Sequence, residues 1–162
     1  MRDKEEVCCP EFNPSLWDNK EFTWTDKLFI KGSMRTFLHM PLPSSMSKLM
    51  TNMWDKIIKS EAQLETKDMV VLTYDPTLWK SENYFAVSKE VEGAENVKIS
   101  GQFLTKVFDG PYSAVPKWMK EMDTYVQEKG NTVKKYYMYY TTCPKCAKKY
   151  GHNYVVCFAE IN

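Results

Sequence analysis

The sequence predicts an α+β domain of two consecutive βαββ units, in which two helices cover one face of a mainly antiparallel sheet. Two segments with helical apolar spacing predict the helices, and each comes directly after an extended segment and directly before two more. A 70-residue offset superimposes the two patterns and places Pro111 on Pro41 and Met119 on Leu49. This repeated order of elements predicts an internal duplication.

The chain begins with a segment typical of an irregular arm. Pro10 and Pro14 break regular structure there, and apolar residues nearby would anchor the arm to the domain. The expected anchors are Phe12, Leu16 and Trp17. The predicted boundaries are 1–21 for the arm and 22–162 for one domain, with half-repeats at about 22–92 and 93–162.

In the first half, the pattern predicts a turn at Gly32-Ser33 before the first helix and a turn at Asp75-Pro76 after it. The expected strands are 22–30, 34–40, 69–74 and 83–91. The helix is expected to have about 16 residues, because apolar residues recur at three- and four-residue spacing. These apolar positions are Met46, Leu49, Met50, Met53, Trp54, Ile57 and Ile58.

In the second half, a helix is predicted between Pro116 and Gly130, because proline is favoured in the first turn and glycine just beyond the last. Its apolar stripe consists of Val115, Trp118, Met119, Met122, Tyr125 and Val126. The expected strands are 97–108, 133–141 and 153–161. Alternation along 133–141 places Tyr137 and Tyr139 on one face and Tyr136, Met138 and Tyr140 on the other. The pattern does not indicate which set meets the helices.

The charge balance argues against nucleic acid as a partner. The chain has 22 Lys and Arg against 21 Asp and Glu, whereas proteins that rely on phosphate contacts carry a concentrated basic excess. No apolar run approaches the roughly 20 residues of a membrane helix. The charged N-terminus lacks the apolar stretch of a secretory signal. We therefore expect a cytoplasmic monomer or homodimer that binds neither nucleic acid nor membrane.

Aromatic residues make up 14% of the chain, which also contains ten methionines. Both residue types suit a pocket for flat apolar ligands. The same composition would also suit a compact core of large side chains. A duplicated domain leaves a groove between its halves, and such clefts are common ligand sites. A small-molecule site in this groove is therefore one of the predictions.

Two motifs resemble a known family. The stretch Phe108-Asp109-Gly110-Pro111-Tyr112, followed by a helix that carries Trp118 and Tyr125, is similar to the GyrI-like domain. Cys8-Cys9-Pro10 and Cys143-Pro144-Lys145-Cys146 resemble a stand-alone bacterial and archaeal subgroup, some members of which carry a hydrolase label. The resemblance covers roughly 22–161.

The resemblance implies a tandem βαββ fold that binds hydrophobic, aromatic or cationic small molecules in an aromatic-walled groove with an acidic residue. It also implies, for some stand-alone members, hydrolysis of strained electrophilic compounds. No DNA-binding helix-turn-helix pattern precedes the domain in this sequence, so the chain is not expected to be a transcription regulator by itself.

Helical spacing places Trp118, Glu121 and Tyr125 on one stripe, where a carboxylate between two aromatic faces would attract a cation or hold a water molecule. Glu82 is the second candidate for a catalytic carboxylate. The expected ligand-binding residues are Trp118, Tyr125, Tyr112, Tyr137, Tyr139 and Tyr84. The alternative is that the aromatic residues belong to the core and Glu121 is a solvated edge residue.

The cysteines support a competing hypothesis. Cys143 and Cys146 form a CxxC motif, expected in a loop between two strands, and Cys8 and Cys9 would complete a set of four thiols if the arm folds back. These thiols could bind a structural zinc ion, form a redox-active pair or remain ordinary reduced thiols. The ligand-binding hypothesis itself requires no cofactor. Cys157 alternates with apolar neighbours and is expected in the core. A third hypothesis is a protein-interaction module with a tyrosine-rich face.

Overall fold

The computed structural model describes residues 12–38, 40–41, 43–141 and 144–161. The strands are β1 (Lys20–Phe37), β2 (Met40–Pro41), β3 (Val71–Thr77), β4 (Lys80–Ala86), β5 (Glu95–Asp109), β6 (Val133–Tyr140) and β7 (Tyr154–Ile161). The α-helices are α1 (Pro43–Lys59), α2 (Val115–Glu128) and α3 (Pro144–Tyr150). Short 3-10 helices lie at Pro14–Leu16, Thr66–Asp68 and Tyr112–Ala114.

The sheet is antiparallel throughout its paired strands and closes on itself. Its order is β2-β1-β4-β3-β6-β7-β5, and β5 also pairs with β1. These pairings join β1, β4, β3, β6, β7 and β5 into a six-stranded antiparallel barrel. The predicted α+β class and antiparallel pairing are confirmed, whereas closure into a barrel was not predicted. The internal duplication and the placement of both helices on one face remain predictions.

Side-chain alternation divides the apolar residues into a barrel interior and two outer layers. All six barrel strands contribute to the interior, which is rich in aromatic rings. One outer layer lies between α1 and strands β1 and β4, and the other lies between α2 and strands β5, β6 and β7. Tyr137 and Tyr139 face the interior, and Tyr136, Met138 and Tyr140 face α2. The alternation predicted for this strand is therefore confirmed.

The turn predicted at Gly32-Ser33 is wrong. Both residues lie inside β1, which continues from Lys20 to Phe37 and carries an irregularity in its pairing with β5 between Trp24 and Lys27. A Cβ atom at Gly32 would lie 2.6 Å from Leu49 Cδ1 of α1. The glycine therefore serves the close approach of helix and strand rather than a reversal of the chain.

Two further local predictions are wrong. Asp75-Pro76 lies within β3, at an irregularity between Tyr74 and Thr77, and the chain turns instead at Leu78 and Trp79. Pro76 is tolerated at this irregularity, because no ladder hydrogen bond is lost where a strand bulges.

The loop predicted around the CxxC motif contains α3, which includes Cys146.

The two longer helices match their predicted spans. α1 has 17 residues, and its Met53 and Ile57 are buried, although Ile58 is 60% exposed. α2 buries Trp118, Met122 and Val126. No helix among the described residues reaches the length and hydropathy of a membrane span.

Candidate functional site

An aromatic column runs through the barrel interior. The ring centroids of Trp24 and Phe103 lie 4.7 Å apart, those of Phe103 and Tyr137 lie 6.3 Å apart, and those of Tyr137 and Tyr84 lie 6.1 Å apart. Each of these strand residues faces inward because side chains alternate across a strand. The column connects two polar regions of the interior, one at each of its ends.

The first region is an open cleft of about 510 Å³, which we call the tryptophan cleft. Its lining combines aromatic and aliphatic walls with three charged residues. The lining residues are Leu16, Trp17, Phe22, Trp24, Lys27, Leu64, Lys67, Asp68 and Val70. All of them lie between residues 16 and 70, so the cleft belongs to the N-terminal half of the chain.

The segment before β1 holds Trp17 in the cleft wall. The backbone N–H of Trp17 donates to the Pro14 carbonyl at 3.0 Å, and the Trp17 carbonyl accepts a hydrogen bond from the Thr105 hydroxyl. The Asp18 carboxylate accepts from the Val107 N–H at 3.0 Å. Phe12 and Trp17 pack against the interior as predicted for the arm. The third expected anchor, Leu16, is 46% exposed.

Lys27 is the half-buried charged residue of the tryptophan cleft. Its Nζ atom lies 5.4 Å from the centroid of the Trp24 ring and 6.0 Å from that of Phe29. Burial lowers the pKa of the Lys27 ammonium, and the negative charge of Asp68, which acts in the opposite direction, does not offset this effect. The cleft thus presents an ammonium group on an aromatic face.

At the other end of the column lies a set of ion pairs, which we call the Glu82 cluster (Lys31, Lys80, Glu82 and Tyr84). The Tyr84 hydroxyl donates to Glu82 Oε2 at 2.8 Å, and Lys31 Nζ and Lys80 Nζ lie 3.3 Å and 3.7 Å from Glu82 Oε1. Burial alone would raise the pKa of Glu82, but the Tyr84 hydroxyl and the Lys31 ammonium outweigh it and lower that pKa. Glu82 is therefore a carboxylate at neutral pH.

Lys135 lies next to this cluster. Its Nζ atom is 3.7 Å from the Tyr74 ring centroid and 4.8 Å from the Tyr137 centroid. Burial lowers the pKa of Lys135, while the charges of Glu82 and Glu160 raise it. Burial also raises the pKa of Tyr137 to about 12, and the Glu160 charge adds to that rise. Tyr137 therefore remains a neutral hydrogen-bond donor over the physiological range.

The predicted residues of the α2 stripe lie outside the barrel. Trp118 is buried and its ring stacks on Phe108 with centroids 5.4 Å apart. Glu121 is exposed to solvent. Tyr125 is half-buried and lies 5.5 Å from Lys106 Nζ. The structure thus separates this stripe from the interior residues that were predicted to share its groove.

Three other predicted ligand residues, Tyr84, Tyr137 and Tyr139, do lie together, because all three are buried in the barrel interior with Glu82 beside Tyr84. The backbone of Tyr112 lies in a short 3-10 helix, and its side chain is outside the described part of the structure.

The four cysteines of the metal hypothesis are not tested. Cys8, Cys9 and Cys143 lie outside the described residues, and only the backbone of Cys146 is described. Within the described part of the chain, no group of three or more potential metal ligands is found. Cys157 is a buried free thiol, which confirms its predicted place in the core.

The tryptophan cleft was missed by the sequence analysis. Phe22 and Trp24 alternate in a segment that was correctly expected to be extended, so their common face was visible in the sequence. The approach of residues 64–70 to that face was not visible, because it is a contact between segments that are distant in the sequence.

These features define a class of protein, a small α+β barrel with an aromatic cleft of ligand size. The chain belongs to the Bacterial hydrolase family, whose model matches residues 1–161. A search of the curated proteins finds no match.

Solved structures show the same fold at low sequence identity. An uncharacterized conserved protein from Listeria innocua is 9% identical, with a TM-score of 0.63 and coverage of 90% of this chain and 93% of that one. A hydrolase from the same organism is 8% identical, with a TM-score of 0.61 and coverage of 90% and 93%. The EcmrR C-terminal domain is 17% identical, with a TM-score of 0.61 and coverage of 88% and 94%. These neighbours fit the GyrI-like fold family.

EcmrR is also known in complex with DNA, and there the matched region makes up 56% of its chain, at 16% identity and a TM-score of 0.61. The expectation that the present chain binds no nucleic acid therefore remains a prediction, as does its cytoplasmic location.

Proposed function

We propose that this protein binds a flat, hydrophobic small molecule in the tryptophan cleft. The observation that carries the proposal is the open cleft itself, which has a volume of about 510 Å³ and whose lining includes Trp17, Phe22 and Trp24. Ligand pockets of roughly 300–1,000 Å³ accommodate drug-sized molecules, and they combine apolar walls with a few polar groups. The cleft has both properties, because Lys27 and Asp68 accompany its aromatic walls.

The resemblance to GyrI-like domains supports a planar aromatic ligand. Aromatic walls favour stacking, and the partly exposed rings of Phe22 and Trp24 line the cleft, held in place by packing against the barrel interior. Tyr84, Tyr137 and Tyr139 lie deeper along the aromatic column and would line an extended site. Trp118, Glu121 and Tyr125 define the alternative location on α2.

A thermal-shift screen with planar aromatic compounds tests the proposal. We compare the wild type with Trp24→Leu in the cleft and Trp118→Leu under α2. A ligand at a hundred times its dissociation constant should add roughly 2.7 kcal/mol to the free energy of unfolding. Trp24→Leu should abolish the shift and Trp118→Leu should retain it, with both variants checked for folding by circular dichroism. The reverse pattern would move the ligand to α2, and no shift with any compound would remove the proposal.

A second candidate function is hydrolysis of an electrophilic ligand, which the family description favours. Glu82 is held as a carboxylate by Tyr84 and Lys31, and a carboxylate can accept a proton from an attacking water molecule. Aromatic faces nearby would stabilise positive charge that develops on the ligand.

Turnover of activated esters and strained cyclic electrophiles, followed by mass spectrometry, tests this second function. Loss of turnover in Glu82→Gln but not in Glu121→Gln would assign the role to Glu82. The opposite result would assign it to the exposed carboxylate on α2.

The cysteine hypothesis also remains a proposal, with structural zinc bound by Cys8, Cys9, Cys143 and Cys146. Elemental analysis of the purified full chain tests it directly. About one zinc ion per chain that is lost in Cys143→Ser would support the site, and metal-free protein with full stability would remove it.

A further inference from the structure

The Lys27 ammonium forms no ion pair with a described residue of the tryptophan cleft. Among the described residues, no carboxylate lies within ion-pair distance of it and no hydrogen bond satisfies it. Its contacts are with the faces of Trp24 and Phe29, 5.4 Å and 6.0 Å from Nζ. The other lysine of the cleft, Lys67, is exposed and pairs with Glu65 at 3.5 Å. Of the two lysines that line the described cleft, Lys27 is therefore the one that forms no ion pair with a described residue.

A ligand that supplies an acceptor would complete this arrangement. An ammonium group is a donor only, and partial removal from water weakens its solvation without supplying an acceptor. Contact with an aromatic face offsets part of this cost. Burial also lowers the pKa of Lys27, as expected for a cation that lacks a close partner. Asp68 lines the same cleft, but its side chain is exposed and does not reach Lys27.

We propose that the ligand of the tryptophan cleft is a planar aromatic carboxylate. This inference rests on the proposed binding function and names its ligand class. The aromatic ring packs against the partly exposed rings of Phe22 and Trp24, and the carboxylate accepts hydrogen bonds from the Lys27 ammonium. A cationic ligand is disfavoured, because it would compete with Lys27 for the face of Trp24 and be repelled by its charge.

Three naphthalene derivatives of similar size test this inference: 2-naphthoate, 2-naphthamide and 2-naphthylmethylammonium. Calorimetric titration at constant ionic strength gives the dissociation constant of each. The wild type should bind the carboxylate roughly tenfold or more tightly than the amide, because a hydrogen bond to a charged group contributes more than a neutral one. It should bind the ammonium compound most weakly.

Lys27→Met keeps the apolar stem and removes the charge. It should bind the carboxylate no more tightly than the amide, while its affinity for the amide stays near the wild-type value. Lys106→Met is the matched control. Lys106 is also half-buried, and its Nζ lies 5.5 Å from the Tyr125 centroid and 6.0 Å from the Phe108 centroid, but it lies outside the cleft. That control should keep the preference for the carboxylate.

The outcomes separate the two proposals. If the amide binds in a Trp24-dependent manner but the wild type shows no preference for the carboxylate, the ligand class is wrong and the binding site stands. Equal loss of the preference in Lys106→Met would also overturn the role of Lys27. If none of the three compounds binds, the site in the tryptophan cleft fails and the ligand class fails with it.

Discussion

Two lysines on β1, Lys27 and Lys31, lie in similar surroundings but differ in whether a carboxylate forms an ion pair with them. Both are partly buried, and each ammonium lies near an aromatic ring, 5.4 Å from the centroid of Trp24 for Lys27 and 6.0 Å from that of Tyr84 for Lys31. Lys31 pairs with Glu82 at 3.3 Å, whereas Lys27 pairs with no described carboxylate. Two cations only four positions apart on β1 thus differ, because one has an ion pair and the other has none among the described residues.

The sheet explains the difference. Lys31 lies opposite Tyr84 on β4, and Glu82 lies two positions before Tyr84 on the same face of that strand. The ladder between β1 and β4 ends where Phe29 pairs with Ala86, so no residue of β4 pairs with Lys27. The segment that contains Leu64 and Asp68 borders the space beside Lys27, and an open cleft remains between them. The ion-paired region around Glu82 supports the fold, and the open region around Lys27 is available for a ligand.

The largest expected effect comes from the ring that links the two regions. Phe103 is fully buried and lies between Trp24 and Tyr137. Phe103→Ala should lower the free energy of unfolding by about 3–5 kcal/mol, because it removes buried contacts and leaves a cavity. Urea unfolding followed by circular dichroism measures the change. Phe37→Ala, at a position that is 59% exposed, is the control, and an equal loss there would contradict the assigned core.

A smaller loss is expected when the compensated region loses its acid. Glu82→Gln removes the charge that Lys31 and Tyr84 face, and we expect a loss of about 1–3 kcal/mol in the free energy of unfolding. The same substitution in a Lys31→Met background should cost less, since the unpaired ammonium is then absent. Equal costs in both backgrounds would show that Lys31 and Glu82 are not coupled. Glu90→Gln, at an exposed position, should leave the stability unchanged.

Acid should reduce the difference between wild type and Glu82→Gln. The pKa of Glu82 is lower in the folded protein than its ordinary value of 4.5, because Tyr84 and Lys31 outweigh the effect of burial. Its contribution to stability is therefore fully present above pH 4.5 and is lost as the pH falls through the lowered folded value. Urea midpoints of both proteins between pH 7 and pH 3 measure this loss. A gap that widens below pH 4.5 would contradict the direction of the shift.

Local sequence patterns predicted a secondary-structure element correctly where its apolar residues are also the ones that the tertiary structure buries. The apolar stripe of α2 is one example, because Trp118, Met122 and Val126 are all buried. Gly32 is a counter-example. A Gly-Ser pair is typical of a turn, and the same pair also allows a helix to approach a strand. Only the contact with Leu49, which the local sequence does not reveal, decides between the two.

The candidate site depended on contacts between distant parts of the chain. Glu82 and Tyr84 alternate on one strand, so their shared face could be predicted. Barrel closure requires β1 to pair with β5, for example Lys20 with Thr105, and no local pattern specifies that pairing. Closure places the tyrosines of β6 inside and α2 outside. It therefore separates Trp118 from Tyr137, which the sequence analysis had placed around one groove.

The smallest expected effect on stability is at Lys27. Lys27→Met removes a partly desolvated charge that has no ion pair and keeps its apolar stem on Trp24, so we expect a change within about 0.5 kcal/mol in the free energy of unfolding. Lys31→Met should cost more, because it leaves Glu82 with the Tyr84 hydrogen bond and the more distant Lys80 at 3.7 Å. Urea unfolding of both variants measures the contrast. If Lys27→Met cost as much as Lys31→Met, the folded protein would already compensate the Lys27 charge. An acidic ligand would then have no electrostatic reason to bind in the cleft.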